Sequence, residues 1–304
     1  LDLESLRIFD AVAAELSITR AAARLGRAAS NVTTRIQQLE AELATELFIR
    51  SGKRIALSPA GQQFLSYARR MLALEDEARQ MLNGSAEGGS LRVGSMESTA
   101  ASRLPEPLAA YSLAYPQTRL LISTGPSVVL LEQLRQGLLD CAFVALPEDL
   151  NDELAMATSG LRGMQLWQEQ LLLLLPASEA EVQKPAQVRT RTLAAFKSGC
   201  TYRALAEQAL QTANDPRWQF QELGSYHAML ACVAAGAAVT VLPRSVLQLC
   251  QYPVQLPTLD LGNRTTWLVW RRGYATPAFE RFAEIIRHHA GAASAANRVQ
   301  PLHD

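Results

Sequence analysis

The sequence predicts an all-α winged helix-turn-helix at the front of the chain, a long helix behind it, and an α/β domain over the remainder. Three observations carry this. From Ala21 to Gly61, the stretch AAARLGRAASNVTTRIQQLEAELATELFIRSGKRIALSPAG sets an alanine-rich helix beside a polar one and follows both with a short basic hairpin. From Pro59 to Asn83, apolar residues recur at steps of three and four with no interior break. After residue 90, near-continuous apolar strands alternate with helical stretches, the texture of sheets covered on both faces.

The elements follow in order. Leu6, Phe9, Ala13 and Leu16 fall at helical spacing over residues 2–15. Ser17 offers a cap to Ile18–Leu25, and alanines at 21, 22 and 23 let a neighbouring helix approach closely. Gly26 ends that helix; RAAS then turns into a third, with Ser30 or Asn31 serving its first turn. Val32, Ile36, Leu39 and Leu43 form the inward face of this helix, and Asn31, Thr34, Arg35 and Gln38 lie opposite. LFIRSGKRIALS reads as two strands joined at Ser51-Gly52. In the long helix, Phe64, Tyr67, Met71, Leu74, Ala78 and Met81 make an a/d seam suited to a two-fold dimer. NGSAEGGS at 83–90 breaks the pattern as a flexible linker.

Beyond the linker, strands are expected at 91–95, 120–123, 141–146, 170–175, 238–242 and 266–270. Helices are expected near 102–115, 127–137, 202–213, 225–236 and 277–290, and the small polar tail from Gly291 should fray. The expected division is 1–58 for the helix-turn-helix, 59–90 for the linker helix and hinge, and 91–304 for the α/β domain.

A chain of 304 residues exceeds one ordinary core. Net charge is zero, which excludes a globally basic nucleic-acid coat, but the charge is unevenly spread. Residues 19–54 hold Arg20, Arg24, Arg27, Arg35, Arg50, Lys53 and Arg54 against Glu40, Glu42 and Glu46, a local +4 that leaves the rest net acidic. Cys141, Cys200, Cys232 and Cys250 show no CxxC and no histidine at metal-ligand spacing. They read as packing thiols in a reducing cytosol, with no metal and no cofactor expected. No stretch approaches ~18 consecutive apolar residues, so no membrane span is expected and the chain reads as cytoplasmic. No G-x-S-x-G, P-loop, Rossmann fingerprint or HExxH appears, so no catalytic residues are expected.

The front end has the physics of a DNA reader. A recognition helix packs one apolar stripe inward and offers short polar side chains and arginine to base edges in the major groove. Thr19, Arg20, Arg24, Ser30, Asn31, Thr33, Thr34, Arg35 and Gln38 are the candidate contacts on the two helices. Arg50, Lys53 and Arg54 in the hairpin can track phosphates or enter the adjacent minor groove. An all-α packing module with a solvated polar face is the rival at this level, and a buried core helix is the rival for the seam.

LESLRIFDAVAAELSITRAAARL, with IQQLE at 36–40, LFIR at 47–50 and LSPAG at 57–61, resembles the N-terminus of LysR-type transcriptional regulators. Ala28-Ala29-Ser30 stands where the family often has Ser-Gln-Pro, Ala44 stands where a glycine is usual, and Thr33-Thr34-Arg35 replaces a common Ser-Arg-Gln. NVTTR, SMESTAA, STGPS and TTWLVWRRG also look like the branch containing an enteric putrescine-utilisation regulator. The family resemblance implies double-stranded DNA with a pseudo-palindromic site as partner, a homodimer or homotetramer, and RNA polymerase as a further partner. It also implies two α/β lobes like those of periplasmic binding proteins, about 91–160 with 266–290 and about 161–265, with an effector cleft between them.

The candidate effector residues lie in polar loops at strand ends and helix starts: Ser98, Thr99, Thr124, Ser127, Cys200, Thr201, Tyr202, Ser225, Tyr226 and His227. Ser98, Thr99 and Ser225 serve equally well as helix caps, Thr124 to Ser127 as a plain turn, and Tyr226 and His227 as core or rim residues. Glu148 joins the candidates because CAFVALPED carries acids and no cation after its strand. With Glu97 it points to an amino-bearing ligand, against the reading of both acids as solvated surface charges. A small-molecule sensor without DNA binding is the alternative to a regulator.

Overall fold

A computed structural model describes residues 1–51, 54–83, 89–146, 153–250 and 256–299. The chain divides into two compact units: Leu1–Gly84, to which Arg135–Leu138 are assigned, and Ser85–Leu134 with Leu139–Asp304. The first begins with three helices, α1 (Leu3–Glu15), α2 (Ile18–Leu25) and α3 (Ala29–Glu42). Asp2 caps α1, its carboxylate accepting the Ser5 N–H at 2.8 Å, and Ser17 caps α2. Gly26, at φ 63°, takes the left-handed conformation that closes α2 and opens the turn. Helix α3 starts without a side-chain cap. Ala28 holds the cap position, and Ser30 and Asn31 lie inside the helix, so neither serves the role expected of it.

Two short strands follow, β1 (Phe48–Ser51) and β2 (Arg54–Leu57), antiparallel from Phe48↔Leu57 to Ser51↔Arg54. Ser51 is therefore a paired strand residue rather than part of the expected turn, and Gly52 lies outside the described residues. Glu40 ties this wing to α3: its Oε1 accepts the Leu47 and Phe48 N–H groups at 2.8 and 3.0 Å. Phe9, fully buried, meets Phe48 and Phe64 at ring centroid distances of 5.4 and 5.2 Å. Val32, Ile36 and Leu39 bring the inner stripe of α3 into the same core.

Helix α4 (Pro59–Asn83) is launched by SPAG for three separate reasons. The Ser58 hydroxyl accepts the Gly61 N–H at 2.9 Å and donates to the Glu46 carbonyl at 2.7 Å. Pro59 occupies the first helical position, where no N–H is missed. Gly61 has no room for a side chain, since a Cβ there would fall 2.0 Å from the Leu47 carbonyl oxygen. The expected apolar seam of α4 is split. Phe64 and Met71 pack on the helix-turn-helix core, while Tyr67, Leu74, Ala78 and Met81 remain exposed, so the two core residues drop out of the seam.

The second unit holds β3 (Ser90–Ser95), α5 (Glu97–Ser102), α6 (Pro105–Ala114), β4 (Arg119–Thr124), α7 (Ser127–Arg135), β5 (Cys141–Ala145) and α8 (Glu153–Thr158). It continues with β6 (Leu161–Leu174), β7 (Thr192–Ala195), α9 (Thr201–Ala209), β8 (Gln219–Glu222), α10 (Tyr226–Ala234) and β9 (Val239–Pro243). It ends with α11 (Arg244–Leu249), β10 (Thr258–Arg271) and α12 (Pro277–Val299). The tail expected to fray from Gly291 is thus helical as far as Val299.

The eight strands are ordered β4-β3-β5-β10-β6-β9-β7-β8. Strand β3 runs parallel to β4 and β5, and β7 parallel to β8 and β9. Between these groups lie the long strands β6 and β10, antiparallel to each other and to their neighbours. Each serves both lobes. Thr266–Trp270 pairs with β5, whereas Leu171–Leu174 pairs with β9. Leu161–Gln165 pairs with Trp267–Arg271 in the first group, so the crossover falls inside β6 rather than at its start, where lobe 2 was expected to begin.

Candidate DNA-reading face and effector cleft

On the first unit, Ser30, Asn31, Thr34 and Gln38 are exposed on α3 and Arg35 is half-buried, over the buried stripe of Val32, Ile36 and Leu39. Gln37 is exposed beside them and was missed; its place next to Gln38 was the available signal. The Thr33 hydroxyl donates to the Ala29 carbonyl at 3.0 Å, so its proton is held by the helix. On α2, Thr19, Arg20 and Arg24 are exposed or half-exposed. Glu15 faces both arginines, at 3.5 Å from Arg20 and 3.6 Å from Arg24. Arg27 pairs with Glu4 at 2.5 Å. The positive charge is therefore partly balanced by carboxylates of α1, held by exposed pairs that exchange readily for phosphate. Arg50 and Arg54 stand at neighbouring rungs near the turn end of the β1–β2 ladder, and Lys53 lies outside the described residues.

On the second unit, a cleft of about 270 Å³ opens where the carboxyl ends of β3, β4, β7 and β8 come together. Six of the expected effector residues line it: Ser98, Thr124, Ser127, Cys200, Tyr202 and Tyr226. Four others do not. Thr99 is buried within α5, which begins at Glu97, so Ser98 and Thr99 are helix residues and not caps. The Thr201 hydroxyl donates to the Ala145 carbonyl at 2.9 Å and so binds α9 to β5. Ser225 is the exposed cap position of α10, and His227 is exposed. Glu148 lies outside the described residues.

The wall also contains Met96, Glu97, Gly125, Pro126, Phe196, Lys197, Glu222, Leu223 and Gly224. Lys197 and Glu222 went unnoticed because β7 and β8 are only four residues long and do not stand out in the sequence, so the loops after them had no anchor there. Lys197 places a cation on a cleft expected to be acidic. Phe196 and Tyr226 meet edge-to-face at 4.8 Å. Arg203 pairs with Glu222 at 2.8 Å, whereas no described contact engages the side chain of Glu97 or Lys197.

Burial pushes the Tyr202 phenol well up, and the Glu169 carboxylate pushes it the same way; burial does the same to Tyr226. Both remain O–H donors at any physiological pH. Burial also raises the Cys200 thiol, so it is a packing group rather than a thiolate nucleophile. Behind the cleft, Glu169 on β6 accepts from Arg103 Nε at 2.6 Å and from the Ser245 hydroxyl at 2.7 Å, and Ser245 meets Ser102 at 3.2 Å. This network joins the end of α5 in one lobe to α11 in the other through the crossing strand. Among the described residues no cluster of His, Cys, Asp or Glu is arranged to hold a metal ion. None of the described helices is long and apolar enough to cross a membrane.

A helix-turn-helix with a wing, followed by an α/β domain with a cleft between two strand groups, is the plan of a DNA-binding regulator that answers to a small molecule. Residues 3–62 match the family model described as bacterial regulatory helix-turn-helix protein, lysR family, and residues 84–291 match the LysR substrate binding domain. The chain belongs to the LysR family of transcriptional regulators. It is 33% identical to the HTH-type transcriptional regulator GltR of Bacillus subtilis, over 95% of this chain and 97% of that one. It is 34% identical to the uncharacterized HTH-type transcriptional regulator YusT of the same organism, over 92% and 93%. A full-length OxyR variant from Pseudomonas aeruginosa superposes with TM-score 0.67 at 25% identity, covering 94% of this chain and 95% of that one. CbnR, in a crystal structure of the full-length protein complexed with its target DNA, shares the fold with TM-score 0.62 at 24% identity, over 95% and 100%. These relatives are transcriptional regulators and not enzymes. They lend no support to the narrower likeness to a putrescine-utilisation branch.

Proposed function

We propose that the outer face of α3, through Ser30, Asn31, Thr34, Arg35 and Gln38, reads base edges in the major groove. Thr19, Arg20 and Arg24 fix its register on phosphates, and Arg50, Lys53 and Arg54 of the wing contact backbone or minor groove. The observation that carries this is the polar outer face of α3 over its unbroken buried stripe, in a chain of this family. The exposed apolar row Tyr67, Leu74, Ala78 and Met81 on α4 joins two copies, and two such dimers make a tetramer on a pseudo-palindromic site. The protein acts in the cytoplasm, and RNA polymerase at the promoter receives its effect. Fluorescence anisotropy with the DNA upstream of its own gene tests this reading. Saturable binding is expected, stronger than to scrambled DNA and falling steeply with salt; equal affinity for both DNAs would refute it.

The effector of the cleft carries an amino group. Glu97, which has no ion-pair partner among the described residues, lines the cleft together with Phe196 and Tyr226 and suits a cation, and Lys197 suits an acid or carbonyl elsewhere on the same molecule. Thermal-shift comparison of amino-bearing metabolites with simple dicarboxylates and aromatic acids decides between the classes. Stabilisation by the purely acidic compounds alone would rule the amino group out.

A further inference from the structure

Two buried hydroxyls, one of them on the cleft wall, lack a well-formed hydrogen bond. Tyr202 Oη and Thr266 Oγ1 are each without a hydrogen-bond partner in the structure, and both residues are almost fully buried, at 3% and 0% exposure. They are close enough to act on each other, and the Ser98 hydroxyl lies beside Tyr202 as well. Ser98 stands on α5 in one lobe, Tyr202 on α9 in the other, and Thr266 on the crossing strand β10. Tyr202 and Ser98 line the cleft directly. Native proteins rarely leave buried donors unmatched, and such exceptions often mark a place a ligand completes.

We infer that Ser98, Tyr202 and Thr266 form a subsite for an uncharged hydrogen-bond acceptor on the effector, an amide or aldehyde carbonyl rather than a carboxylate. This rests on the reading of the cleft as the effector site. The charges nearby decide against an anion. The carboxylate that acts on the Tyr202 hydroxyl is Glu169, already satisfied by Arg103 and Ser245. Lys197, the cation that lines the cleft, is exposed, whereas the hydroxyl group is enclosed. A carboxylate here would be buried with hydroxyl donors but no counter-charge; a neutral carbonyl accepts the same donors without that cost. Donors contributed by both lobes and the strand between them would converge on one ligand atom.

The test uses the full chain and matched probes that differ only in the acceptor: glutamine against glutamate, asparagine against aspartate, and 4-aminobutanamide against 4-aminobutanoate, by calorimetry. The neutral member of at least one pair is expected to bind roughly tenfold or more tightly than its acid, a preference that Tyr202→Phe and Thr266→Val each reduce several-fold. A second measurement needs no ligand. Removing an unmatched hydroxyl should leave the melting temperature of the free protein unchanged or raised, so a clear drop for both variants overturns the proposal. Acids binding more tightly than their amides, with binding abolished by Thr124→Trp in the cleft wall, would overturn the subsite and leave the effector cleft standing. No binding of any probe by the wild-type chain would overturn the subsite assignment. An unaltered response of the Thr124→Trp variant to the amines of the thermal-shift comparison would overturn the cleft itself.

Discussion

Arg35 on the reading helix faces Asp2 at the head of α1, its Nη1 3.7 Å from the carboxylate Oδ2. Asp2 caps α1 by accepting from the Ser5 backbone and hydroxyl, and these bonds hold its carboxyl below the ordinary range, with the Arg35 charge adding to them. The arginine is thereby turned along the surface of the domain, parked against an acid that DNA phosphate or a guanine edge can displace. Arg35→Ala is expected to weaken operator binding by about 1–3 kcal/mol. Its melting temperature should barely move, since an exposed pair contributes little to stability. Unchanged operator affinity by anisotropy would remove Arg35 from the reading set.

The exposed row on α4 separates two kinds of apolar residue that share one heptad pattern. Tyr67 and Leu74 are 59% and 65% exposed, whereas Met71 packs into the core with Phe9 and Leu6. Leu74→Glu combined with Tyr67→Glu should abolish self-association and leave the fold intact, checked by light scattering and circular dichroism. Met71→Glu should instead unfold the helix-turn-helix, because it buries a carboxylate without a partner. A wild-type monomer at micromolar concentration would refute the association.

This split was not legible in the sequence. Met71 and Leu74 both satisfy the heptad, and only the docking of α4 on α1 decides which of them meets core. The helix-turn-helix itself was plain, because Val32, Ile36 and Leu39 step evenly and Gly26 punctuates the turn. The long strands were half-legible: LLLLL showed the buried half of β6, while MQLWQEQ concealed the other half, where polar residues alternate across the sheet. The cleft residues found from sequence were hydroxyls at strand and helix ends. Lys197 and Phe196 follow a strand too short to announce itself, so their place depended on tertiary structure alone.

Ala44 marks a local conflict between sequence and fold. Where the family usually has glycine, this chain holds alanine at φ 49°, the left-handed region that costs a residue with a Cβ about 1–2 kcal/mol. Ala44→Gly is expected to raise the stability of the helix-turn-helix by about 0.5–1 kcal/mol, the relief of strain being partly offset by the greater freedom of unfolded glycine. A lower denaturation midpoint for the variant would contradict this.

The Arg103–Glu169–Ser245 network at the crossing of the lobes should be sensitive to loss of one partner. The Glu169 side chain is 5% exposed, and Arg103 supplies its counter-charge. Arg103→Ala leaves a buried carboxylate held by Ser245 alone and is expected to destabilise the α/β domain by about 3 kcal/mol or more. The double variant Arg103→Met with Glu169→Leu should recover most of that loss in urea denaturation. A double variant no more stable than the single one would show that the network contributes more than charge compensation.

Glu179 makes the acid stability of the second lobe predictable. Its residue is 1% exposed, and its carboxylate accepts the Arg189 N–H at 2.9 Å, the Thr190 N–H at 2.6 Å and the Thr190 hydroxyl at 2.5 Å. Burial alone would raise this carboxyl, but the hydrogen bonds from Thr190 and Arg189 outweigh it and hold the group below its ordinary 4.5. A carboxyl lower in the folded than in the unfolded chain favours the fold above the unfolded value, so its contribution is complete above about pH 4.5 and lost as pH falls through the folded value. Glu179→Gln keeps the shape and removes the charge. It should cost about 2 kcal/mol at pH 7, the scale of hydrogen bonds to a buried charged acceptor, and almost nothing at about pH 2. Urea midpoints measured across that range should therefore converge at the acid end. Parallel curves for the two proteins across the whole range would show that the loop 189–190 does not depend on the ionised carboxylate.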